Sequence, residues 1–362
     1  MGNYYFAIGA MSGTSADGID FSLIKTDGLD YFEPLSSVSV SYDKDLKKKI
    51  ISFSKTFNDK NSHFNIALLE ELITNKYIEG IRKLIKKVKI KFKNIDVIGV
   101  HGQTIFHDPK NNISLQLINS KKISDYFKIK VVSNFRQKDI LNGGEGAPLV
   151  PIFHAALKKY INVSGPVMFI NIGGISNITY VSSSSKLIAF DAGPGMCLLD
   201  DYVSKNTKHQ YDFDGNFSKK GLVDFGILKE NLSDKYFNKN YPKSLDRNYF
   251  STKSYRNLNL YDACATISMF TTISIYKAII KINKNCKSIY LMGGGSRNLF
   301  ILENLSDLLN IKILSINNLK LSDNYIESQA FAYLGVRFLK KLPISFPKTT
   351  GVHKPMVGGE VF

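Results

Sequence analysis

YYFAIGAMSGTSADGIDFSLIK, residues 4–25, is the stretch on which the fold turns. Tyr4 to Ala10 is one apolar run and Ile19 to Lys25 a second, and the small-residue turn MSGTSADG between them reads as a loop joining two strands. The pattern recurs at mid-chain, where residues 166–172 and 175–181 flank Gly173-Gly174 and a third apolar run ends at Phe190-Asp191. The same strand, loop, strand unit appears twice.

Around these units, Leu69, Ile73, Tyr77, Ile81, Leu84 and Val88 recur every three to four residues, which makes one face of a helix apolar. The strand-like run IDVIGV leads into His101. Asp262 stands before a helical run in which Ile267, Phe270 and Ile273 share a face, and SIYLM enters Gly293-Gly294-Gly295 as a buried strand. Helices alternating with strands predict an α/β protein, and 362 residues predict two domains. The boundary is expected near residues 160–166. Residues 1–162 form one domain and 163–362 the other, with a return crossing at a helix over Glu327 to Lys340.

Hydrophobic residues make up 44% of the chain and charged residues 22%, an ordinary globular balance. The net charge of +17 comes from lysines scattered among asparagines along the whole sequence. No nucleic-acid motif accompanies them, so no nucleic-acid partner is expected, although a basic field favours an anionic nucleotide. The N-terminal sequence lacks the order of a secretory signal, and no apolar run approaches the roughly 18 residues that span a bilayer. A cytoplasmic protein without a membrane partner is the expectation. Cys197, Cys264 and Cys286 are odd in number and lack CxxC spacing, which excludes a disulfide framework and a cysteine zinc site.

Gly13-Thr14-Ser15-Ala16-Asp17-Gly18-Ile19-Asp20 gathers glycines, hydroxyls and two carboxylates in one turn. Its N–H groups and the hydroxyls of Ser12, Thr14 and Ser15 can face phosphate oxygens while a carboxylate holds hydrated magnesium. The same residues also make a plain glycine-serine hairpin. Gly173-Gly174 repeats the design. Gly293-Gly294-Gly295, followed by Ser296-Arg297-Asn298, sits before an expected helix whose N-terminus favours negative charge. GxxxxGK[ST] is absent, so there is no Walker A loop. Asp191, at a strand end before Gly193-Pro194-Gly195, can serve as a general base or magnesium ligand, and equally as a turn or helix-cap residue. Two strand-hairpin loops and a later glycine-rich loop resemble the actin, hexokinase and heat-shock ATPase superfamily. That resemblance implies a two-domain, ribonuclease H-like α/β fold with a central cleft.

MSGTSADGID, GVHGQTIFHDP, NFRQKDILNGGEGAPLVPIFH, NIGGISNIT, FDAGPG, YDFDGNFSKKG, LMGGGSRN and ESQAFAYLGVRFL follow one another over nearly the whole chain. Together they resemble the anhydro-N-acetylmuramic acid kinase family. The resemblance implies ring opening and phosphorylation of 1,6-anhydro-N-acetylmuramic acid to N-acetylmuramic acid 6-phosphate in murein recycling, with ATP and Mg2+. It implies ATP binding by Gly13 to Asp20, Gly173, Gly174, Gly293, Gly294, Gly295 and Asn298, and makes Asp191 the base. Asp17 and Asp191 would reach the metal, and His101, Gln103, Arg136, Asp139 and Glu327 would bind the sugar; a homodimer is left open.

Plainer roles exist for the sugar residues: His101 as a satisfied buried histidine, Arg136 and Asp139 as an ion pair, Glu327 as a helix start. His107, His154 and Tyr211 are read as structural. The chain departs from the family's usual residues at Asn134, Glu145, Ala192 and Met196, where Asp, Gln, Thr and Asn are common. Two other readings stand beside the main one. One is another sugar or polyol kinase of this fold; the other is an ATP-driven conformational protein, for which VHKPMVGGEVF after Gly351 offers little room for a peptide-binding domain.

Overall fold

β1 (Tyr5–Ser12) and β2 (Gly18–Thr26) are the strands expected around MSGTSADG, antiparallel from Tyr5 opposite Thr26 to Met11 opposite Asp20. The computed structural model describes residues 4–57, 63–282, 286, 288–319 and 321–362. β3 (Phe32–Ser41) continues the meander. α1 (Lys44–Thr56) is capped by Asp43, whose side chain accepts from the Leu46 amide and satisfies one of the orphan donors of the first turn. α2 (His63–Val88) lays Leu69, Ile73, Tyr77, Ile81 and Leu84 against the sheet, the stripe that the spacing predicted. β4 (Val97–Asp108) runs parallel to β1 and extends well beyond IDVIGV, so His101 and Gln103 stand inside a strand. β5 (Ile113–Leu117) folds back on β4, and α3 (Ser120–Phe127) leads to β6 (Val131–Ser133), parallel to β4. α4 (Phe135–Ile140) and α5 (Pro151–Tyr160) follow.

The second sheet repeats the plan. β7 (Val167–Ile172), β8 (Ile175–Val181) and β9 (Leu187–Pro194) form an antiparallel meander. After α6 (Cys197–Asn206), α7 (Phe225–Leu232) and α8 (Leu260–Ile282), β10 (Ser288–Met292) lies parallel to β7. α9 (Leu299–Leu309) then returns the chain to β11 (Leu314–Ser315), parallel to β10. The apolar run expected to stop at Phe190-Asp191 continues to Pro194, so Asp191 lies within β9. α8 begins two residues before Asp262, and Asn259 Oδ1 accepts from the Asp262 amide at the helix start.

α8 also corrects an expectation. Its 23 residues are long and apolar enough to cross a membrane by length and composition. Serines and threonines interrupt the apolar run in sequence, but inside the helix Thr266, Thr272 and Ser274 return their hydroxyls to carbonyls four residues back. Most of its apolar surface is buried, 72% of the most apolar window, against β9, α6, α7 and α9. A core helix accounts for that composition.

α10 (Ile326–Leu339) and β12 (Glu360–Val361) rejoin the first sheet. The chain divides into one compact unit of Met1–Asn162 with Asn324–Phe362 and a second of Val163–Asp323. The orders β3-β2-β1-β4-β6 and β9-β8-β7-β10-β11 match, each with three antiparallel strands and two parallel additions. This is the ribonuclease H-like order expected, present twice. In the first unit α10 rides so close to β1 and β4 that a Cβ on Gly9 would stand 1.9 Å from the Ser328 carbonyl and one on Gly99 2.1 Å from that of Phe331. Only glycine allows this approach.

Candidate active site

The first loop is tied down from β4. Ser12 Oγ donates to Gln103 Oε1 at 2.6 Å, and Gln103 Nε2 donates to the Gly13 carbonyl at 3.1 Å. Ala16 takes a left-handed conformation, φ 51°, and its amide donates to the Gly13 carbonyl, closing the turn. Gly13, Ser15, Asp17, Asp20, Ser39 and Glu327 line a cavity of about 310 Å³ beside it. Ser39 donates to Asp20 at 2.5 Å and Tyr325 extends the network.

Three carboxyls meet this cavity with different electrostatics. Burial raises the Asp17 carboxyl, but hydrogen bonds from Lys47 and Ser15 outweigh it and hold the group below its usual value. Burial raises Asp20, partly offset by Ser39. Glu327, in the first turn of α10, is raised by burial and by Asp20, against an opposing pull from Arg136. The helix start read as its plainer role is real, and the residue faces the cavity as well. Lys47, Ser39 and Tyr325 escaped the sequence reading, Lys47 because the run KDLKKK gave no sign which lysine would reach Asp17.

Three of the expected sugar residues, His101, Arg136 and Asp139, are linked in one chain of hydrogen bonds. Arg136 Nε donates to His101 Nε2 at 2.8 Å. An arginine cannot accept, so Nε2 carries the lone pair and Nδ1–H donates to the Gly102 carbonyl at 2.9 Å. Burial and the Arg136 charge hold His101 far below its ordinary pKa, so the ring is neutral. Arg136 also donates to the Gly146 carbonyl; the Gly146 amide and Thr350 hydroxyl both donate to Asp139. Gln103 and Asp139 are fully buried, with these hydrogen bonds directed to protein groups.

In the second unit, the Gly173 and Gly174 carbonyls accept from the amides of Met196, Gly195 and Cys197 at 2.8, 3.0 and 3.2 Å. The hairpin turn is thereby pinned to the β9–α6 junction, where a Cβ on Gly195 would lie 2.2 Å from the Gly173 carbonyl. A β-bulge falls between Ser176 and Asn177, which oppose Gly193 and Asp191 and leave Ala192 as the extra residue. Asp191 is held by the Leu245 amide on Oδ2 at 2.8 Å, and its own amide donates to the Lys243 carbonyl at 3.0 Å. Gly293 is left-handed, φ 81°, while a Cβ on Gly294 would meet nothing within 4 Å. Asn298 caps α9, its Oδ1 accepting from the Ile301 amide, and is 2% exposed. Among the departures from the usual family residues, Ala192 packs in the core with Phe190, and Met196 caps α6 without a side-chain bond.

A family model described as anhydro-N-acetylmuramic acid kinase matches residues 4–362. The chain belongs to the anhydro-N-acetylmuramic acid kinase family. The kinase of this name from Pelagibacter ubique is 38% identical over 99% of this chain and 98% of its own length. That from Zymomonas mobilis is 37% identical over 98% of this chain and 99% of its own. Component A of (R)-2-hydroxyglutaryl-CoA dehydratase from Acidaminococcus fermentans superposes with a TM-score of 0.49 at 10% identity, covering 93% of this chain and 100% of that one. As a member of the anhydro-N-acetylmuramic acid kinase family, the chain is a phosphotransferase that phosphorylates anhydro-N-acetylmuramic acid in cell-wall recycling, with ATP as donor.

Proposed function

We propose that the protein couples hydrolytic opening of the 1,6-anhydro ring to phosphorylation of the freed oxygen, with Asp191 as the general base. Asp191 takes a proton from water as that water attacks C1; the C1–O6 bond breaks, O6 attacks the γ-phosphorus, and ADP leaves. The observation that carries this reading is the carboxylate fixed by the Leu245 amide at a β-bulge, where a strand is bent to aim a side chain. Gly13 to Asp20 serve the triphosphate in the first unit, and Gly173, Gly174 and Gly293 to Gly295 serve ATP in the second. Asn298 supports the third loop by capping α9.

Magnesium fits as a water-bridged partner. Asp17 lines the cavity beside the first loop and Asp191 stands at the β-bulge of the second unit, and magnesium takes only one or two carboxylates beside phosphate oxygens while keeping several waters. Asp17 in the first unit and Asp191 in the second are the candidate carboxylates, and at either one the hydrated ion would neutralise charge on the transferring phosphoryl group. Arg136, presented by neutral His101 and the Gly146 carbonyl, is suited to the sugar's lactyl carboxylate, and Glu327 to its hydroxyls. Gln103 and Asp139 act by holding the loop and Arg136.

The test is ADP release with anhydro-N-acetylmuramic acid beside glucose, glycerol and N-acetylglucosamine, run in oxygen-18 water. Stimulation by the anhydro sugar alone, with prompt label at C1 and none in phosphate, is expected. Label in inorganic phosphate, with none at C1 above an unreacted N-acetylmuramic acid 6-phosphate control, would remove the coupled ring opening.

A further inference from the structure

The surroundings of Asp191 close into a ring of hydrogen bonds that the reaction itself does not explain. The Asp191 amide donates to the Lys243 carbonyl at 3.0 Å. Lys243 Nζ donates to the Tyr236 carbonyl at 3.1 Å and lies 4.1 Å from the centre of the Tyr236 ring. The Tyr236 hydroxyl donates back to the Asp191 carbonyl at 2.6 Å. Two residues beyond Lys243, the Leu245 amide holds the Asp191 carboxylate. The backbone of Asp191 is therefore gripped on both sides by one short segment, residues 236–245, and the lysine side chain closes that segment on itself.

Lys243 is an unusual choice for a purely structural link. It is 9% exposed, and a lysine is rarely buried so deeply unless its charge is used. The charged groups acting on it are Lys277 and Lys281 from α8, Lys239 from the same segment, and Asp191 from β9. Three of these four repel the ammonium and only the Asp191 carboxylate attracts it. The Tyr236 ring face supplies a further attraction.

We propose that Lys243 is a positioning residue for the Asp191 carboxylate: through Tyr236 and the 243–245 backbone it fixes where the carboxylate points, its ammonium closing the ring on the Tyr236 carbonyl. This inference rests on the reading of Asp191 as the base.

The experiment compares Lys243→Met, which keeps the stem without the charge, with Lys243→Arg, Tyr236→Phe and Asp191→Asn in the full-length protein, each checked by thermal melting. For Lys243→Met, kcat should fall roughly tenfold to a hundredfold, as a misplaced catalytic group does, while the KM values for ATP and the anhydro sugar stay within about twofold. Lys243→Arg, which keeps a cationic donor, should recover most of the rate. Tyr236→Phe, which removes only the bond to the Asp191 carbonyl, should lower kcat in the same sense and covers the case in which Lys243→Met does not fold. Asp191→Asn separates the two ideas. If it loses activity while Lys243→Met and Tyr236→Phe keep the parental kcat, the positioning role is wrong and the base stands. If Asp191→Asn keeps parental activity, both fall.

Discussion

Gln103 reaches from the middle of β4 to the Gly13 carbonyl, 90 residues earlier in the chain, with its side-chain amide at 3.1 Å, while its oxygen accepts from Ser12 at 2.6 Å. One buried amide thus sets the shape of the first loop. Gln103→Leu fills a similar volume but removes both bonds from β4 to the first loop, while Ser12 Oγ keeps the Gly18 carbonyl and the Gly13 carbonyl keeps the Ala16 amide. Two net hydrogen bonds lost cost about 1–3 kcal/mol, which corresponds to a rise in the ATP KM of roughly 5- to 150-fold if the loop binds phosphate. Initial rates against ATP check this, and an unchanged ATP KM in a folded variant would detach the loop from nucleotide binding.

Gly13 and Gly174 offer a cleaner probe of the loops than their sequence suggested. Neither has a left-handed φ, and a Cβ would meet only Ser15 Oγ or Cys197 Cβ, each at 3.7 Å. The backbone therefore tolerates alanine, and a Cβ there would obstruct only the approach of the proposed phosphate ligand. Gly13→Ala and Gly174→Ala should melt within about 2 °C of the parent, since their stability change is small, yet bind ATP several-fold more weakly. Gly99→Ala, whose Cβ would stand 2.1 Å from the Phe331 carbonyl, should instead lose stability outright. Calorimetric titration with ATP beside thermal melting distinguishes the two kinds of glycine.

Substituting Arg136 tests the proposed sugar site apart from nucleotide binding. Its guanidinium is fixed by two donations, to His101 and to the Gly146 carbonyl, a geometry that a lysine ammonium cannot reproduce. Arg136→Lys should raise the KM for the anhydro sugar about tenfold or more, as expected when a charge-assisted contact worth about 1.5–3 kcal/mol is lost, and leave that for ATP nearly unchanged. Equal effects on both substrates would place Arg136 outside the sugar site.

Acid should weaken the first unit through its buried histidines. Burial brings His154 from 6.5 down to about 3, and His101 is also held well below its ordinary value. The unfolded chain takes up these protons first, so this contribution is intact above pH 6.5 and is lost progressively as pH falls below it. One pKa unit is worth about 1.4 kcal/mol, so His154 alone should remove about 2 kcal/mol between pH 7 and pH 5. Asp200, raised by burial to about 7, works in the opposite sense over the same window, so denaturant unfolding is compared at the two pH values between the parent and His154→Leu; a variant that loses as much stability on acidification as the parent would mean that the His154 ring is protonated in the fold.

Much of the fold was legible because its signals are local. Apolar runs around MSGTSADG and NIGGISN became β1–β2 and β7–β8, and the Leu69-to-Val88 stripe became the inner face of α2. Two boundaries were misread for one reason: β4 and β9 continue past their apolar runs, because pairing with β5 and β8 sustains a strand through polar residues such as Gln103 and Asp191. The length of α8 was hidden because hydroxyls that look polar in sequence are satisfied by the helix's own carbonyls.

By itself the sequence determined which residue types stand in the glycine loops, where the duplicated strand units lie and which family the chain resembles, since these are properties of neighbours along the chain. Only the tertiary structure decided that Gln103 shapes the first loop, that Asp139 steadies the Gly146 carbonyl under Arg136, and that Tyr236, Lys243 and Leu245 enclose Asp191. These partners are tens of residues apart along the chain or meet through crossover connections. A side chain's hydrogen-bonding capacity is written in its identity, but which buried group satisfies it is set by the strands and helices that pack around it.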